Sequence, residues 1–345
     1  MSAAAAPAGE ALKLGLYFGE HDRHQGRYLS EAVLDLFQRR GLAAGVLLRA
    51  AEGFGGAQLL RTDRLLSLSE DLPLVAVGVG EPGAVAACAE ELRQIHSGGL
   101  LTLERARLAA TARGAGEEPH EEVKLTVYTG RGARRGGRPA HVEVVAALHR
   151  HGVAGATALV GVDGAASGRR LRARFFSANA WVPALVVAVG ERERIAAALA
   201  ELEAAGEPPL ATLEAVTVLR RDGRSAGSDR EPGEGMARKL TVYCSEASRH
   251  GGEPLYLELI RRLRTERAAG ATALRGVWGY HGDHEPHGDR LLGLRRRVPI
   301  VLTVVDSAER SRRWLEIATE LTAETGLLTV ERVPRRFSLE PVQPG

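Results

Sequence analysis

Arg49 and Arg275 each leave an apolar run and are followed, four and five residues on, by a glycine and an aromatic: Gly53–Phe54 and Gly279–Tyr280. A guanidinium beside an aromatic ring can hold an anionic or nucleotide-like ligand by charge and stacking. An arginine paired with an acid of a neighbouring unit, beside a glycine needed only for a turn, is the competing reading. Between them, Val160, Gly164 and Ala165 keep the turn and lose the chemistry. His281, His284 and His287, with Asp283, Glu285 and Asp289, could bind a divalent transition metal through imidazole nitrogens. Gly282, Pro286 and Gly288 break helical spacing there, so a solvated loop competes with a metal site. Glu20 and Glu246 stand at one offset, where the middle of the chain has Arg131. An acid of one unit facing an arginine of the next fits them better than a catalytic carboxylate. No GxSxG, GxxxxGK[ST] or HExxH pattern occurs and no orienting third group accompanies Cys244, so no catalytic residue is assigned and the chain is expected not to be an enzyme.

These residues recur because the chain repeats itself. KLGLY begins at Lys13, and KLTVY at Lys124 and Lys239; these are the only three lysines in the chain. Arg49, Val160 and Arg275 all lie 36 residues after their lysine. Glycine follows at Gly26, Gly137 and Gly252, and again at Gly53, Gly164 and Gly279; proline follows at Pro73, Pro183 and Pro299. GLLTLE (Gly99–Glu104), PPLATLE (Pro208–Glu214) and GLLTVE (Gly326–Glu331) close the units. The expected domains are 11–109, 122–219 and 237–337. A lysine kept three times in a chain that otherwise uses arginine is either a solvated strand opening or a point charge facing an anion or a neighbouring unit. Lys13 and Lys239 therefore join the candidate ligand residues.

Each unit has the same pattern of elements. Leu14–Phe18, Leu125–Thr129 and Leu240–Cys244 suit short strands. A helical stripe follows, with Leu29, Val33, Leu34 and Phe37 in the first unit and Leu255, Leu259, Ile260 and Leu263 in the third. Second strands (Val46–Ala50, Ala156–Val162, Ala271–Val277), very apolar third strands (Leu72–Val79, Ala184–Val189, Ile300–Val305), second helices and last strands complete β-α-β-β-α-β units. The fold class is α+β: three tandem ferredoxin-like units, each leaving one sheet face to be covered, most simply by closing into an intramolecular pseudotrimer. Ala110–Glu121 and Arg220–Ala237, rich in Gly, Pro, Glu and Arg, are expected to be linkers without regular structure.

Composition sets the limits. The formal net charge of +3 over 345 residues, with no long basic block, argues against a nucleic-acid partner. Two cysteines exclude a disulfide framework and suit a reducing cytoplasm. The start MSAAAAPAGE has no basic opening or apolar core, so no signal peptide is expected; no apolar run is long enough to span a bilayer, so neither is membrane insertion.

ATALRGVWGYHGD (Ala271–Asp283), RLLGL, VPIVLTVVDS and GLLTVERV closely resemble the PII-like family known as domain of unknown function 190. VLLRAAEGFG, RLLSLSEDLP and GLLTLE carry the resemblance in the first unit; KLTVY, GATALVG and TLE carry it in the degenerate second. The resemblance implies ferredoxin-like units assembled as PII-type trimers, with small ligands in the clefts between units and a mobile loop after the second strand that engages a partner protein. His287 matches a histidine common in that family. The glycine-rich phosphate loop of true PII proteins is absent, so no cofactor is named. The expected function is a non-enzymatic regulatory or signalling module, with a divalent-metal-binding, CutA-like role of the histidine loop as the alternative.

Overall fold

The computed structural model describes residues 9–56, 58–63, 71–95, 98–109, 122–166, 169–172, 182–206, 209–226, 237–281, 286–288 and 298–339. Repeat one contributes strands β1 (Glu10–Gly19), β2 (Ala44–Arg49), β3 (Pro73–Gly80) and β4 (Leu100–Leu108), with helices α1 (Leu29–Arg39) and α2 (Pro82–Ile95). Repeat two contributes β5 (Glu122–Gly130), β6 (Gly155–Val160), β7 (Pro183–Glu191) and β8 (Leu210–Ala215), with α3 (Ala140–Arg150) and α4 (Arg192–Ala204). Repeat three contributes β9 (Ala237–Ser245), β10 (Ala271–Arg275), β11 (Pro299–Asp306) and β12 (Leu327–Val333), with α5 (Leu255–Thr265) and α6 (Ala308–Leu321). The fold is mixed α+β, with antiparallel strand pairs.

In each repeat the first strand lies between the third and the last, and the second strand pairs with the third. Alternation along β1 explains the layers. Leu14, Leu16 and Phe18 point to the helices and pack on Leu29, Val33, Leu34 and Phe37 from α1 and Val85, Cys88 and Leu92 from α2. Lys13 and Tyr17 point to the opposite face, towards the other repeats. That face of repeat one is closed by Val46, Leu48, Val75 and Val77 packing with Tyr128, Leu159 and Leu185 of repeat two.

The repeats are stitched by strand pairing in a closed order. Asp163–Ala166 of repeat two pairs with β2 of repeat one. Trp278–His281 of repeat three pairs with β6 of repeat two. Glu52–Phe54 of repeat one pairs with β10 of repeat three. The tails do the same. The end of β4 pairs with β8, Thr217–Arg221 pairs with β12, and Arg335–Ser338 pairs with β4. Arg220–Ala237 is thus not structureless at its start: Arg220–Arg221 lies on a strand, and Arg224–Ser225 folds back on it. Its side chains have no apolar stripe, but backbone hydrogen bonds to the β12 edge do not need one.

The recurring glycines have two separate causes. Gly26, Gly137 and Gly252 sit at the second central position of a two-residue hairpin turn, with φ of 79°, 78° and 90°, where the residue before is also left-handed (Gln25, Gly136, Gly251). Such turns match the twist of the strands and demand positive φ. Gly53 and Gly164 lie at the joints between repeats. A Cβ on Gly53 would stand 2.5 Å from the Ala271 carbonyl oxygen of repeat three and 3.2 Å from Pro73; one on Gly164 would stand 2.6 Å from both the Gly45 carbonyl oxygen of repeat one and Pro183. Gly279 is wedged in the same way between Pro299 and the Ala156 carbonyl of repeat two. The recurring glycine and the recurring proline are two sides of one close contact.

Candidate functional site

The three lysines meet three glutamates in one buried layer. Cross-strand register sets Lys13 opposite Glu104, Lys124 opposite Glu214 and Lys239 opposite Glu331. Each ammonium also reaches the next repeat: Lys13 Nζ donates to Glu214 at 2.5 Å, Lys124 to Glu331, and Lys239 to Glu104 at 2.9 Å. Within repeats, Lys124 lies 2.9 Å from Glu214 and Lys13 3.4 Å from Glu104. The six residues are between 3% and 8% exposed. Burial pushes the Glu104 carboxyl up, but the ammonium groups of Lys13, Lys239 and Lys124 outweigh it and hold it well below the usual carboxylate range. Burial pulls Lys124 down, and Glu214, Glu331 and Glu104 outweigh that, holding it well above an ordinary lysine. Among the described residues the three glutamates are also the group whose oxygens come within metal-ligating distance of one another. Three ammonium groups already neutralise them, so the layer is an ion-pair ring and not an open cation site. Glu104, Glu214 and Glu331 were visible as the ends of TLE and TVE, but only strand register reveals that each opposes a lysine.

Phe54 and Tyr280 serve the joints. Phe54 is 3% exposed and packs into the core of repeat three; Tyr280 is 2% exposed and packs into that of repeat two. Tyr280 donates to the Val153 carbonyl at 2.8 Å and meets His149 edge-on. Burying each aromatic contributes roughly 2–3 kcal/mol to holding two repeats together. Their ring faces are covered by protein, together with Gly53 and Gly279. Arg49 pairs with Glu20 at 2.8 Å. Arg275 pairs with Asp63 of repeat one at 2.5 Å and with Glu246 at 3.2 Å. Glu20 and Glu246 thus face arginines of their own repeats, not of the next; the acid reaching across a joint is Asp63. Repeat two changes both partners together, to Arg131 and Val160.

His281 lies with Nδ1 3.9 Å from Asp222, and His287 sits on a short strand opposite Gly279. His284 lies outside the described residues. His281 also borders a cavity of about 20 Å³ between repeats two and three, lined by Thr157, Tyr243, Cys244 and Asp222. That space suits one or two water molecules. A larger opening, about 730 Å³, lies between repeats one and three. Arg93, Arg335, Arg336, Phe337, Glu90 and Glu309 line it. The Arg93 guanidinium stacks 4.4 Å over the Phe337 ring. Arg336 Nη2 is 3.9 Å from Asp306, and its buried Nε has no hydrogen-bond partner among the described residues. This groove is not legible in the sequence, because its arginines come from two repeats and meet only when the Arg335–Ser338 tail lies on β4.

Among the described residues no helix is long and apolar enough to cross a membrane. The UPF0166 protein of Aquifex aeolicus (strain VF5) is 33% identical over 95 residues, which are 88% of that protein and 27% of this chain. The UPF0166 protein MJ1524 of Methanocaldococcus jannaschii is 28% identical over 94 residues, covering 86% of its length and 27% of this chain. Each of these relatives thus corresponds to a single repeat. An aspartate kinase from Synechocystis aligns over 94% of this chain and 43% of its own, at 10% identity and a TM-score of 0.26, too low to bear on fold or function. The family model DUF190, described as "Uncharacterized ACR", matches three times, over residues 11–108, 122–218 and 237–335. The chain therefore belongs to the DUF190 family, as three tandem copies in one polypeptide.

Proposed function

We propose that this chain is a non-enzymatic, PII-like regulatory protein of the cytoplasm. In this reading three ferredoxin-like repeats close as an intramolecular pseudotrimer, bind a small anionic or nucleotide-like ligand between repeats, and present loops to a partner protein. The cyclic order of the joints and the buried Lys/Glu ring support the closed arrangement. The observation that carries the ligand is the groove between repeats one and three, where three arginines and an aromatic ring line one opening. Arg335 and Arg336 would hold the anion beside the Arg93 guanidinium, which is itself stacked on Phe337. The groove is continuous with the tail strand that ties repeat three to repeat one, so occupancy would act on that joint. A metal-binding role has less support, since the described histidines, His281 and His287, lie on a strand pair with His281 turned towards Asp222.

A thermal-shift panel of nucleotides, cyclic nucleotides, bicarbonate and citrate tests this. A ligand at a hundred times its Kd adds about 2.7 kcal/mol, a shift of several degrees. Arg335→Ala/Arg336→Ala should abolish that shift, whereas Arg49→Ala/Arg275→Ala should alter it only through the Arg275–Asp63 contact between repeats three and one. A full shift in the groove variant removes the groove from the reading, and no shift with any member of the panel removes ligand binding.

A further inference from the structure

The hairpin after the first strand of repeat two differs in kind from its two counterparts. Residues 130–138 hold Arg131, Arg134, Arg135 and Arg138 and no acid. The counterpart in repeat one sets Glu20 and Asp22 against Arg23 and Arg27, and that in repeat three sets Glu246 and Glu253 against Arg249. The scaffold is shared: each ribbon has the same left-handed turn, and each has an arginine donating to a nearby backbone carbonyl, Arg23 to Gly26, Arg134 to Gly137 and Arg249 to Glu246. What changed is the charge.

That change works against folding. Arg135 stands directly opposite Arg138 across the ribbon, where the counterparts pair His24 with Arg27 and His250 with Glu253. Like charges in that position destabilise a strand pair. Arg135 relieves part of this by donating to the Leu202 carbonyl at the end of α4. Arg138 is 3.7 Å from Glu143, which Arg150 already engages at 2.8 Å. Among the described residues no carboxylate pairs with Arg131 or Arg134. Burial and the Arg131 charge together hold the adjacent His141 imidazole below the ordinary histidine range, and its Nδ1 is buried without a hydrogen-bond partner. Glu143 is shared between Arg138 and Arg150, and the field at Arg131 and Arg134 is positive. A local rule broken in one repeat only, on a scaffold kept in all three, marks a site shaped by something outside the chain.

We propose that the repeat-two hairpin is a docking site for an acidic protein segment, a short run of Asp or Glu side chains. Its paired strands are two residues each, so the ribbon spans roughly 10 Å with its turn. That length matches a few carboxylates. A nucleic acid, bound through about 6–10 phosphate contacts, would need a wider basic surface. The substitution of Arg131 for the acid at that offset accompanies the loss of its arginine partner to Val160, which freed the position to face outward.

Fluorescence anisotropy of the full chain with fluorescein-labelled octaglutamate tests the proposal, with octathymidylate as the second probe. Arg131→Glu/Arg138→Glu installs the acids that repeat three uses at those offsets, Glu246 and Glu253; Arg131→Gln/Arg138→Gln is the milder pair. Octaglutamate should bind the wild type, weaken with added salt, and lose at least tenfold in affinity in the glutamate variant at an unchanged unfolding midpoint. Arg23→Gln/Arg27→Gln in repeat one should leave binding unaltered. Failure of octaglutamate to bind, wild-type affinity in both repeat-two variants, or tighter binding of octathymidylate would overturn the proposal.

Discussion

The Lys13 ammonium donates to the Glu214 carboxylate across 2.5 Å, joining repeats one and two through side chains 201 positions apart in sequence. Two further links of the same kind, Lys124 to Glu331 and Lys239 to Glu104, close the circuit. Each charge is buried, and Lys13, Lys124, Glu104 and Glu214 are each matched from two sides.

Breaking that match at one point should be costly. Lys124→Met leaves Glu214 and Glu331 short of a counter-charge, and a loss of about 3–5 kcal/mol is expected in urea unfolding. Replacing all three lysines by methionine and all three glutamates by leucine should cost far less, and can even stabilise, because no charge is stranded. A single variant within about 0.5 kcal/mol of wild type, the scale of an exposed pair, would show that the ring is open to water.

Stability should fall at both pH extremes. Glu104 and Glu214 are held below their ordinary values, so their contribution is complete above the unfolded carboxylate pKa of about 4.3 and is lost as pH drops through their folded values. Lys124 is held high, so its contribution is complete below the unfolded lysine value of about 10.4 and disappears above it. Tyr128, pushed up to about 12 by burial, adds to the alkaline loss from about pH 10 upward. Unfolding midpoints measured from pH 3 to 11 should form a plateau between these limits. A decline centred near pH 6–7 would point to histidine instead.

Gly164→Ala should open a joint. The added methyl meets the Gly45 carbonyl oxygen of repeat one on one side and Pro183 on the other, both at 2.6 Å. Neither is the end of a flexible side chain, so a loss of about 1–3 kcal/mol is expected. Gly26→Ala, at a turn with open space around it, should cost about 1 kcal/mol through positive φ alone. Calorimetry that ranked Gly26→Ala as the more damaging would contradict the packing at the joint.

The thiols should be silent in the native state. Cys88 and Cys244 are buried, and burial lifts their pKa values to about 11 and about 12. Ellman's reagent at pH 8 should react with neither until denaturant is added. Prompt release of one equivalent from folded protein would place a cysteine at the surface.

Much of the framework could be read from residue order. The triple KLxxY start, the helical stripe of Leu29, Val33, Leu34 and Phe37, and the TLE endings locate three units because those signals are local and periodic. The joints could not be read so. Nothing in GF or GY says into whose core Phe54 or Tyr280 will fold, since that is decided by backbone pairing between distant repeats. The same holds for Arg275, whose partner Asp63 comes from another repeat, and for Arg335 and Arg336, whose groove exists only after a tail lies on a neighbour's edge. Lys13 is conspicuous by its rarity, but only register identifies Glu104 as its opposite, and only the packing of repeat on repeat identifies Glu214 as its acceptor.

Gathering every lysine into one interior layer leaves the described exterior with guanidinium as its sole permanent side-chain cation. Enzymes that acylate, methylate or conjugate lysine side chains, and proteases that cut beside them, would find no substrate on the folded chain. A surface written only in arginine keeps its charge at any physiological pH and removes one common route by which cells tag a protein.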